Sequence, residues 1–400
     1  MFLTYRNIGI SMNMREKRKK IGKTLPRRLN DWLHLWLGLA SGIIVFIVSI
    51  TGCFYAFQRE IKDALEPWRF VEVRPEGFGR PSVLLDTAAK YMPGKQASGL
   101  TYSDETGAAA VGYFGNENGK RTFHVVFLNP YTGEFLRKQQ TVGGDEFDFF
   151  RFIIDGHRAL WLPYEIGRPI VGVATLVFIV LLITGLVMWW PKRWTRSTRE
   201  QSFKIKWKAR FKRVNYDLHN VLGFYSLLFA LALGTTGLVY SFAWFDQAVY
   251  YIASGGEHKP EHHHPHSDLA NKDRDWTAAI SPLDSAWYET MKQVDHFGGM
   301  YMTPHLADDD DSYEILVYHD IGSFYNQSAF FYDRYTLQPL EQEGSKYSES
   351  KLADRLTMLN YDIHVGSVGG FSGKVLAFLI SLICASLPIT GFLVWWNKRK

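Results

Sequence analysis

The sequence predicts an all-α membrane bundle of four helices, built as two tandem two-helix repeats, with two small α+β domains outside the membrane. Three observations predict this fold class. Four apolar runs are long enough to cross a hydrocarbon core of roughly 30 Å. Basic residues concentrate at one side of these runs. The first and third runs share a pattern of residues, which indicates an internal repeat. The runs cover residues 33–57, 170–190, 218–242 and 375–396.

The first and third runs each open with their one ionisable residue, a histidine. His34 precedes the pair Thr51-Gly52 by 17 residues, and His219 precedes Thr236-Gly237 by 17. A signal peptide is the alternative interpretation of the first run. We do not favour it, because the run is long and ends without a small-residue cleavage site.

The charge distribution predicts the topology. Nine Lys or Arg residues precede Asp31, ten lie between residues 191 and 214 against one acidic residue, Glu200, and three end the chain. The positive-inside rule therefore places both termini and the middle loop in the cytoplasm and both long loops outside. The net charge of +5 is thus a topology signal, and nothing in the sequence indicates nucleic-acid binding. The two cysteines lie inside apolar runs, which excludes a disulfide framework or a CxxC pair.

The two long loops have similar patterns. Each contains a short amphipathic helix followed by alternating strands, as in an α+β unit. The second copy carries a histidine-rich insertion, residues 257–268, which is either a weak metal site or a solvated polar segment. The predicted divisions are a basic cytoplasmic N-terminus (1–28), the first span (29–58), the first outer domain (59–150), an outer amphipathic helix with the second span (151–191), a basic cytoplasmic loop (192–213), the third span (214–245), the second outer domain (246–350), and an outer segment with the fourth span and tail (351–400).

Two further histidines occupy equivalent places before the second and fourth spans. His157 lies 32 residues before Trp189, and His364 lies 31 before Trp395. Both lie well before the apolar cores, so they can join the bundle only if the chain folds back at Pro163 or Gly369-Gly370.

A pseudo-twofold axis along the membrane normal would bring His34 to His219 at the cytoplasmic side, and His157 to His364 at the outer side. Two imidazoles that face each other across an axis are the ligand set of a bis-histidine b-type haem. The sequence therefore predicts two haem b groups, because two stacked haems can carry an electron across the hydrocarbon core. Basic residues could pair with the propionates: Arg27, Arg28 and Arg213 on the inner side, and Arg158, Arg168 and Lys374 on the outer side.

Other interpretations of these histidines stay open. A histidine near a helix end is often only interfacial, and an intramembrane histidine can serve a proton relay. What favours haem is repetition at matched spacing within one chain. The sequence contains no Gly-rich phosphate loop, no nucleophile with an ordered base and no zinc signature.

The chain resembles the PepSY-associated transmembrane family. The resemblance rests on four segments: LHLWLGL with TGCFYAF, FRFIIDGHRALWLP with GLVMWWPKR, YDLHNVLGFY with TGLVYSF, and the closing TGFLVWWNK. Members include iron-regulated bacterial inner-membrane proteins, among them di-haem reductases of ferric siderophores. The resemblance implies that His34, His157, His219 and His364 are haem ligands and that the outer loops are PepSY-like domains. Some relatives continue into a flavin and nicotinamide region, and no such site is expected in this chain.

The favoured hypothesis is therefore a multi-pass protein of a bacterial inner membrane that transfers electrons through two haems and reduces ferric siderophores or other ferric chelates in the periplasm. Its electrons would come from quinol or from a cytoplasmic reductase. Two alternatives belong to other classes. One is a siderophore or metal transporter with the histidines on its path, and the other is a PepSY regulatory or binding module.

Overall fold

The computed structural model describes residues 24–117, 119–144, 147–260, 264–273, 280–304 and 306–399. The predicted basic N-terminal segment lies outside the described residues up to residue 23. The described helices are α1 (Leu25–Tyr55), α2 (Gln58–Leu65), α3 (Pro81–Ala89), α4 (Phe149–Ala159), α5 (Tyr164–Trp189), α6 (Arg196–Phe203), α7 (Phe211–Asp217), α8 (Gly223–Ser241), α9 (Ala243–Ser254), α10 (Pro282–Met291), α11 (Leu352–Val365) and α12 (Gly370–Arg399). The described strands are β1 (Gly99–Ser103), β2 (Ala109–Glu117), β3 (Lys120–Leu128), β4 (Phe135–Val142), β5 (Gly299–Met302), β6 (Tyr313–Tyr318), β7 (Gln327–Tyr332) and β8 (Pro339–Leu340).

Four helical segments of the described chain are long and apolar enough to cross a membrane. They are α1, α5, the continuous helix formed by α7 and α8, and α12 with the short turn before it. Each covers nearly all of one of the four apolar runs of the sequence. The four predicted membrane helices are therefore present, and the chain is a membrane protein.

The four long helices form a bundle. Both α1 and α8 pack against α5 and α12, so α1 and α8 lie diagonally across it. The buried residues of α1 are mostly small, including Ser41, Gly42 and Thr51, whereas Ile43 is 76% exposed. Small residues at the contact let helix backbones approach closely, and the apolar outer surface suits lipid.

The two loops between the spans contribute four strands each to one antiparallel sheet. Its strand order is β4-β3-β2-β1-β5-β6-β7-β8. The central pair joins the two halves, with Leu100 opposite Met302 and Tyr102 opposite Met300. The sequence predicts two small α+β units, and the structure combines their strands into a single sheet domain. The pairing is favourable because it gives partners to the backbone groups that β1 and β5 would otherwise expose as edge strands.

Helices α3 and α10 cover the sheet. The core beneath them includes Leu84, Leu100 and Ile315, which have no exposed surface. The buried Asp284 links the two helices, because its carboxylate accepts hydrogen bonds from the Ser82 backbone N–H at 2.8 Å and from the Ser82 hydroxyl at 2.6 Å. The sheet and these helices form the part of the protein outside the bundle.

The chain folds back after α4 and after α11. Leu160 and Trp161 have φ angles of 54° and 59°, and α5 begins three residues later. Gly366 ends α11 with a φ angle of 82°. As a result, α4 packs beside α1 and α5, and α11 packs beside α8 and α9. This reversal brings the histidines of α4 and α11 to the bundle, as their predicted role requires.

Candidate functional site

Four histidines meet in two pairs at the two ends of the bundle. The sheet-distal pair is His34 on α1 and His219, with ring centroids 6.3 Å apart and ring planes at 81°. The sheet-proximal pair is His157 on α4 and His364 on α11, with centroids 6.0 Å apart and planes at 65°. The structure thus brings together the residues that the sequence places in pairs.

His219 lies in a π-helical turn, Leu218–Leu222, between α7 and α8. A π turn widens a helix locally and occurs often at functional sites. The sequence carries no signal for this turn.

Each histidine directs Nδ1 at the threonine of a Thr-Gly pair on a neighbouring helix. The contacts between Nδ1 and threonine Oγ1 are His34 to Thr184 at 2.9 Å, His219 to Thr390 at 3.0 Å, His364 to Thr236 at 2.9 Å, and His157 to Thr51 at 3.3 Å. His157 Nδ1 also lies 2.9 Å from the backbone oxygen of Val48. Each histidine therefore has the same kind of partner.

These contacts indicate which ring nitrogen carries the proton. The hydroxyl of Thr184 lies 2.9 Å from the Val180 carbonyl, and when it donates its one hydrogen there, its oxygen accepts from Nδ1–H of His34. The hydroxyls of Thr390, Thr236 and Thr51 donate in the same way to carbonyls of their own helices. A carbonyl such as that of Val48 can only accept. The contacts therefore favour hydrogen on Nδ1 and an unshared electron pair on Nε2 at all four imidazoles, the form that binds a metal through Nε2.

The two histidines of the sheet-proximal pair lie outside the spanning helices, and burial disfavours the charged form of both. Burial lowers the pKa of the His157 imidazole below its usual value. Burial lowers the pKa of His364 to about 4, and the neighbouring His157 makes a smaller contribution in the same direction. A neutral imidazole is the form in which histidine acts as a ligand.

A glycine lies against the edge of every imidazole. A Cβ atom added at Gly185 would lie 3.2 Å from Cε1 of His34 and one at Gly391 would lie 3.1 Å from Cε1 of His219, while at Gly52 and Gly237 the distance to His157 and His364 would be 3.3 Å. These distances are shorter than ordinary carbon contacts. The glycine of each Thr-Gly pair therefore makes room for the ring that its threonine holds.

Each pair lines a cavity. The sheet-distal cavity has a volume of about 390 Å³ and the sheet-proximal cavity one of about 260 Å³. Val45 and Phe178 line both cavities, so these two side chains separate them. The two cavities therefore adjoin inside the bundle.

Two of the predicted cations line the sheet-proximal cavity. Arg158 is exposed and lies on its wall. Arg168 lies there as well, and its guanidinium donates to the Tyr240 carbonyl at 2.7 and 3.0 Å. This side of the bundle therefore places positive charge beside the sheet-proximal pair.

The other predicted cations do not line either cavity. Arg27 donates to the Trp190 carbonyl at 3.1 Å, and Arg28 is exposed. Arg213 pairs with the buried Asp217 at 2.8 Å, and Lys374 pairs with Glu60 at 2.6 Å. Lys398 lines the sheet-distal cavity instead.

The histidine-rich insertion is only partly described. His262 and His263 lie outside the described residues. His266 lies 3.1 Å from Asp310, and His264 lies 3.8 Å from Glu314. In the part of the chain that the structure describes, no three or more His, Cys, Asp or Glu side chains are grouped to hold a metal ion.

The fold and site together define a four-helix membrane protein with a sheet domain and two facing histidine pairs. The chain belongs to the family described as the PepSY-associated TM region, whose model matches residues 32–398. This membership confirms the resemblance predicted from the sequence. No curated protein matches the chain.

Proposed function

We propose that this protein is a di-haem b electron-transfer protein of a bacterial inner membrane. In this proposal His34 and His219 ligate one haem, and His157 and His364 ligate the other. The observation that carries the proposal is the presence of two facing histidine pairs in one bundle. A haem would supply one-electron chemistry at each pair.

The donor geometry fits a bis-histidine ligand set. A metal bound by two opposed imidazole nitrogens at about 2 Å each separates the ring centroids by about 6 Å. The separations of 6.3 Å and 6.0 Å have this size. Nε2 of each ring carries the free electron pair, and among the described residues no hydrogen bond occupies it. The four histidines therefore have the separation and the tautomer that the proposal needs.

The surroundings also fit a flat apolar group with an acidic edge. Glycines contact the edges of the imidazoles, and apolar residues such as Val45 and Phe178 form the walls of the cavities. Arg158 and Arg168 at the sheet-proximal cavity could pair with propionates, and Lys398 could do so at the sheet-distal cavity. Arg27 and Arg28 remain candidates only through a change of side-chain conformation. The side chains of Val45 and Phe178 lie where an electron would pass from one cavity to the other.

We further propose that the chain is a tandem repeat of two-helix units with PepSY-like outer portions. From the centre of the sheet outward, the strands follow chain order in both halves, β1 to β4 on one side and β5 to β8 on the other. The Thr-Gly pair recurs in all four spans and contacts a histidine each time. An axis along the membrane normal would relate the two units.

The proposed orientation places both termini in the cytoplasm and the sheet domain in the periplasm. The support is the concentration of Lys and Arg before Asp31, between α5 and α7, and at the last three residues of the chain. Electrons would then enter at the sheet-distal pair, from quinol or a cytoplasmic reductase, and leave at the sheet-proximal pair.

The acceptor that we propose is a ferric siderophore or another ferric chelate that docks at the sheet domain. One electron reduces Fe(III) to Fe(II), which hard oxygen ligands bind much more weakly, so reduction releases the metal. The protein would act as an oxidoreductase of the ferric-chelate reductase type. Transport of the chelate along the histidines is the competing function, and it requires no electron transfer.

The test uses the purified full-length protein, loaded with haem and reduced without excess reductant under anaerobic conditions. Mixing with a ferric siderophore should reoxidise the haems and produce one trapped Fe(II) for each electron lost. The gallium(III) chelate of the same siderophore is the matched control, since it has similar charge and size but does not accept the electron. If the reduced haems persist equally with both chelates, ferric-chelate reduction is wrong.

A further inference from the structure

Three of the four histidines share a second partner residue, an asparagine one helical turn earlier. Asn30 lies four residues before His34, Asn215 four before His219, and Asn360 four before His364. Residues four apart lie on the same face of a helix. Each asparagine therefore faces the same neighbouring helix as its histidine.

Each asparagine binds the same threonine that its histidine binds. The amide Nδ2 donates to the backbone oxygen of Thr184 from Asn30 at 3.1 Å, of Thr390 from Asn215 at 3.0 Å, and of Thr236 from Asn360 at 3.3 Å. The histidine donates to the hydroxyl of that threonine, as described above. One threonine is thus held by two side chains from one turn of the adjacent helix.

The fourth site lacks this arrangement. The residue four before His157 is Ile153, which is buried and cannot donate a hydrogen bond. At this site histidine Nδ1 lies 2.9 Å from the Val48 carbonyl and 3.3 Å from threonine Oγ1, whereas the distance to threonine Oγ1 is 2.9 to 3.0 Å at the other three. The sheet-proximal pair consequently combines one histidine with the asparagine and one without it.

Buried amide groups inside a bundle are costly unless they are hydrogen-bonded. Asn215 and Asn360 are buried, with 3% and 8% of their surface exposed. Three such residues at one spacing, each bonded to a threonine that accepts from a histidine, indicate a role in fixing the position of the imidazole. The hydrogen bond from the asparagine amide to the threonine backbone holds the threonine in register with the histidine-bearing helix. It therefore limits rotation of the imidazole that contacts the threonine hydroxyl.

We propose that Asn30, Asn215 and Asn360 are positioning residues that set the planes of the histidine rings, and that Ile153 makes the sheet-proximal pair inequivalent to the sheet-distal pair. The observed planes agree with this inference. The sheet-distal pair, with both asparagines, is nearly perpendicular at 81°, whereas the sheet-proximal pair lies at 65°. The inference rests on the proposed function, because its test detects the angle between the imidazole planes through the spectrum of a bound haem.

The test is electron paramagnetic resonance of the oxidised, haem-loaded full-length protein. Perpendicular imidazole planes keep two iron d orbitals nearly equal in energy, which raises the largest g value of a low-spin ferric haem. The wild-type protein should therefore give two different signals, with the larger g value from the sheet-distal pair. Leucine, which has nearly the shape of asparagine but no amide, is introduced at each of the four equivalent positions.

Asn30→Leu and Asn215→Leu should lower and broaden the sheet-distal signal only, and Asn360→Leu should change the sheet-proximal signal only. Ile153→Leu is the matched control and should change neither. Where a leucine variant does not accumulate, Asn→Ala at the same position replaces it, and the midpoint potential of each haem is the second readout. Haem-loaded asparagine variants with signals and potentials identical to the wild type would overturn this inference alone. A wild-type protein that binds no haem would overturn the proposed function and this inference with it.

Discussion

The imidazole of His34 faces that of His219 at a centroid distance of 6.3 Å, although the two residues are carried by helices that lie diagonally across the bundle. Each ring is held from behind by a threonine of a third or fourth helix, Thr184 or Thr390. The four spans therefore all contribute to one pair. This arrangement predicts that the pair depends on both histidines.

Replacing either histidine of a pair should remove one haem and leave the other. We expect His34→Ala and His364→Ala each to lower the haem content from two to one per chain, since an imidazole ligand cannot be supplied by the neighbouring apolar residues. The measurement is a pyridine haemochrome assay on purified protein. His319→Ala, in the sheet domain, is the control and should retain both haems. Two haems in His34→Ala would contradict the assignment of that pair.

The glycine beside each imidazole should not tolerate a methyl group. The Cβ of Gly185→Ala would lie 3.2 Å from Cε1 of His34, so the ring must tilt away from its position. We expect roughly tenfold weaker retention of the sheet-distal haem, as for other changes next to a metal ligand. The rate of haem dissociation is measured by transfer of the haem to an excess of apomyoglobin. In the control Gly369→Ala, which lies outside both cavities, no described atom lies within 4 Å of the added Cβ, and retention should be unchanged.

The hydroxyl of Thr184 should tune the electron density on His34. Thr184→Val keeps the shape but removes the acceptor for Nδ1–H, and this weakens the donation from the ring to the ferric iron. The midpoint potential of the sheet-distal haem should rise by a few tens of millivolts, equivalent to about 1 kcal/mol for one electron. A spectroelectrochemical titration measures it. Thr175→Val on the same helix, whose hydroxyl donates to the Val171 carbonyl of its own helix, is the matched control. If the midpoint potential of the sheet-distal haem shifts equally in Thr184→Val and Thr175→Val, the Thr184 hydroxyl does not have this role.

The turn after β7 should confer acid sensitivity on the sheet. Although burial by itself raises the pKa of the Asp333 carboxyl, hydrogen bonds from the backbone of Asp268 and from Thr336 and Tyr335 lower it overall. Because the folded-state pKa lies below the unfolded value of about 3.9, the stabilisation is complete above that pH. It is lost as the pH falls through the folded-state pKa.

Asp333→Asn should therefore remove about 1 to 2 kcal/mol of stability at neutral pH, because the amide loses part of the charge-assisted bonding. The difference in stability from the wild type should shrink as the pH falls below the unfolded-state pKa of about 3.9. Denaturant unfolding of the sheet domain, followed by tryptophan fluorescence at several pH values, measures both effects. Asn129 fills the same place in the other half of the sheet, with its side-chain oxygen 2.9 Å from the Tyr131 backbone N–H. Asn129→Asp therefore provides the reverse control. If the difference in unfolding free energy between Asp333→Asn and the wild type is the same at every pH, the prediction is wrong.

Much of the architecture could be predicted from the sequence, because it depends on local patterns. The apolar runs locate the four spans, and the matched spacing of His34 and His219 identifies the sheet-distal pair. The requirement that His157 and His364 reach the bundle led to an expected reversal at Pro163 or Gly369-Gly370. The chain reverses three residues earlier in each case, at Leu160 and Gly366, where φ is positive.

The supporting contacts could not be predicted, because they join helices that are distant in sequence. His34 and Thr51 lie in one helix, and at 1.5 Å per residue they are about 25 Å apart. Thr51 therefore serves His157 at the opposite end, while His34 uses Thr184. The recurrence of Thr-Gly in all four spans was the available signal. Nothing local to β1 or β5 specified that these strands would pair with each other.

The most direct test of the central claim is the absorption spectrum of the detergent-purified protein, oxidised and then reduced with dithionite, together with the haem stoichiometry. The proposed function predicts low-spin b-type bands and two haems per chain. A protein that remains colourless when haem is supplied during expression would contradict the claim, and the four histidines would then have to serve another purpose.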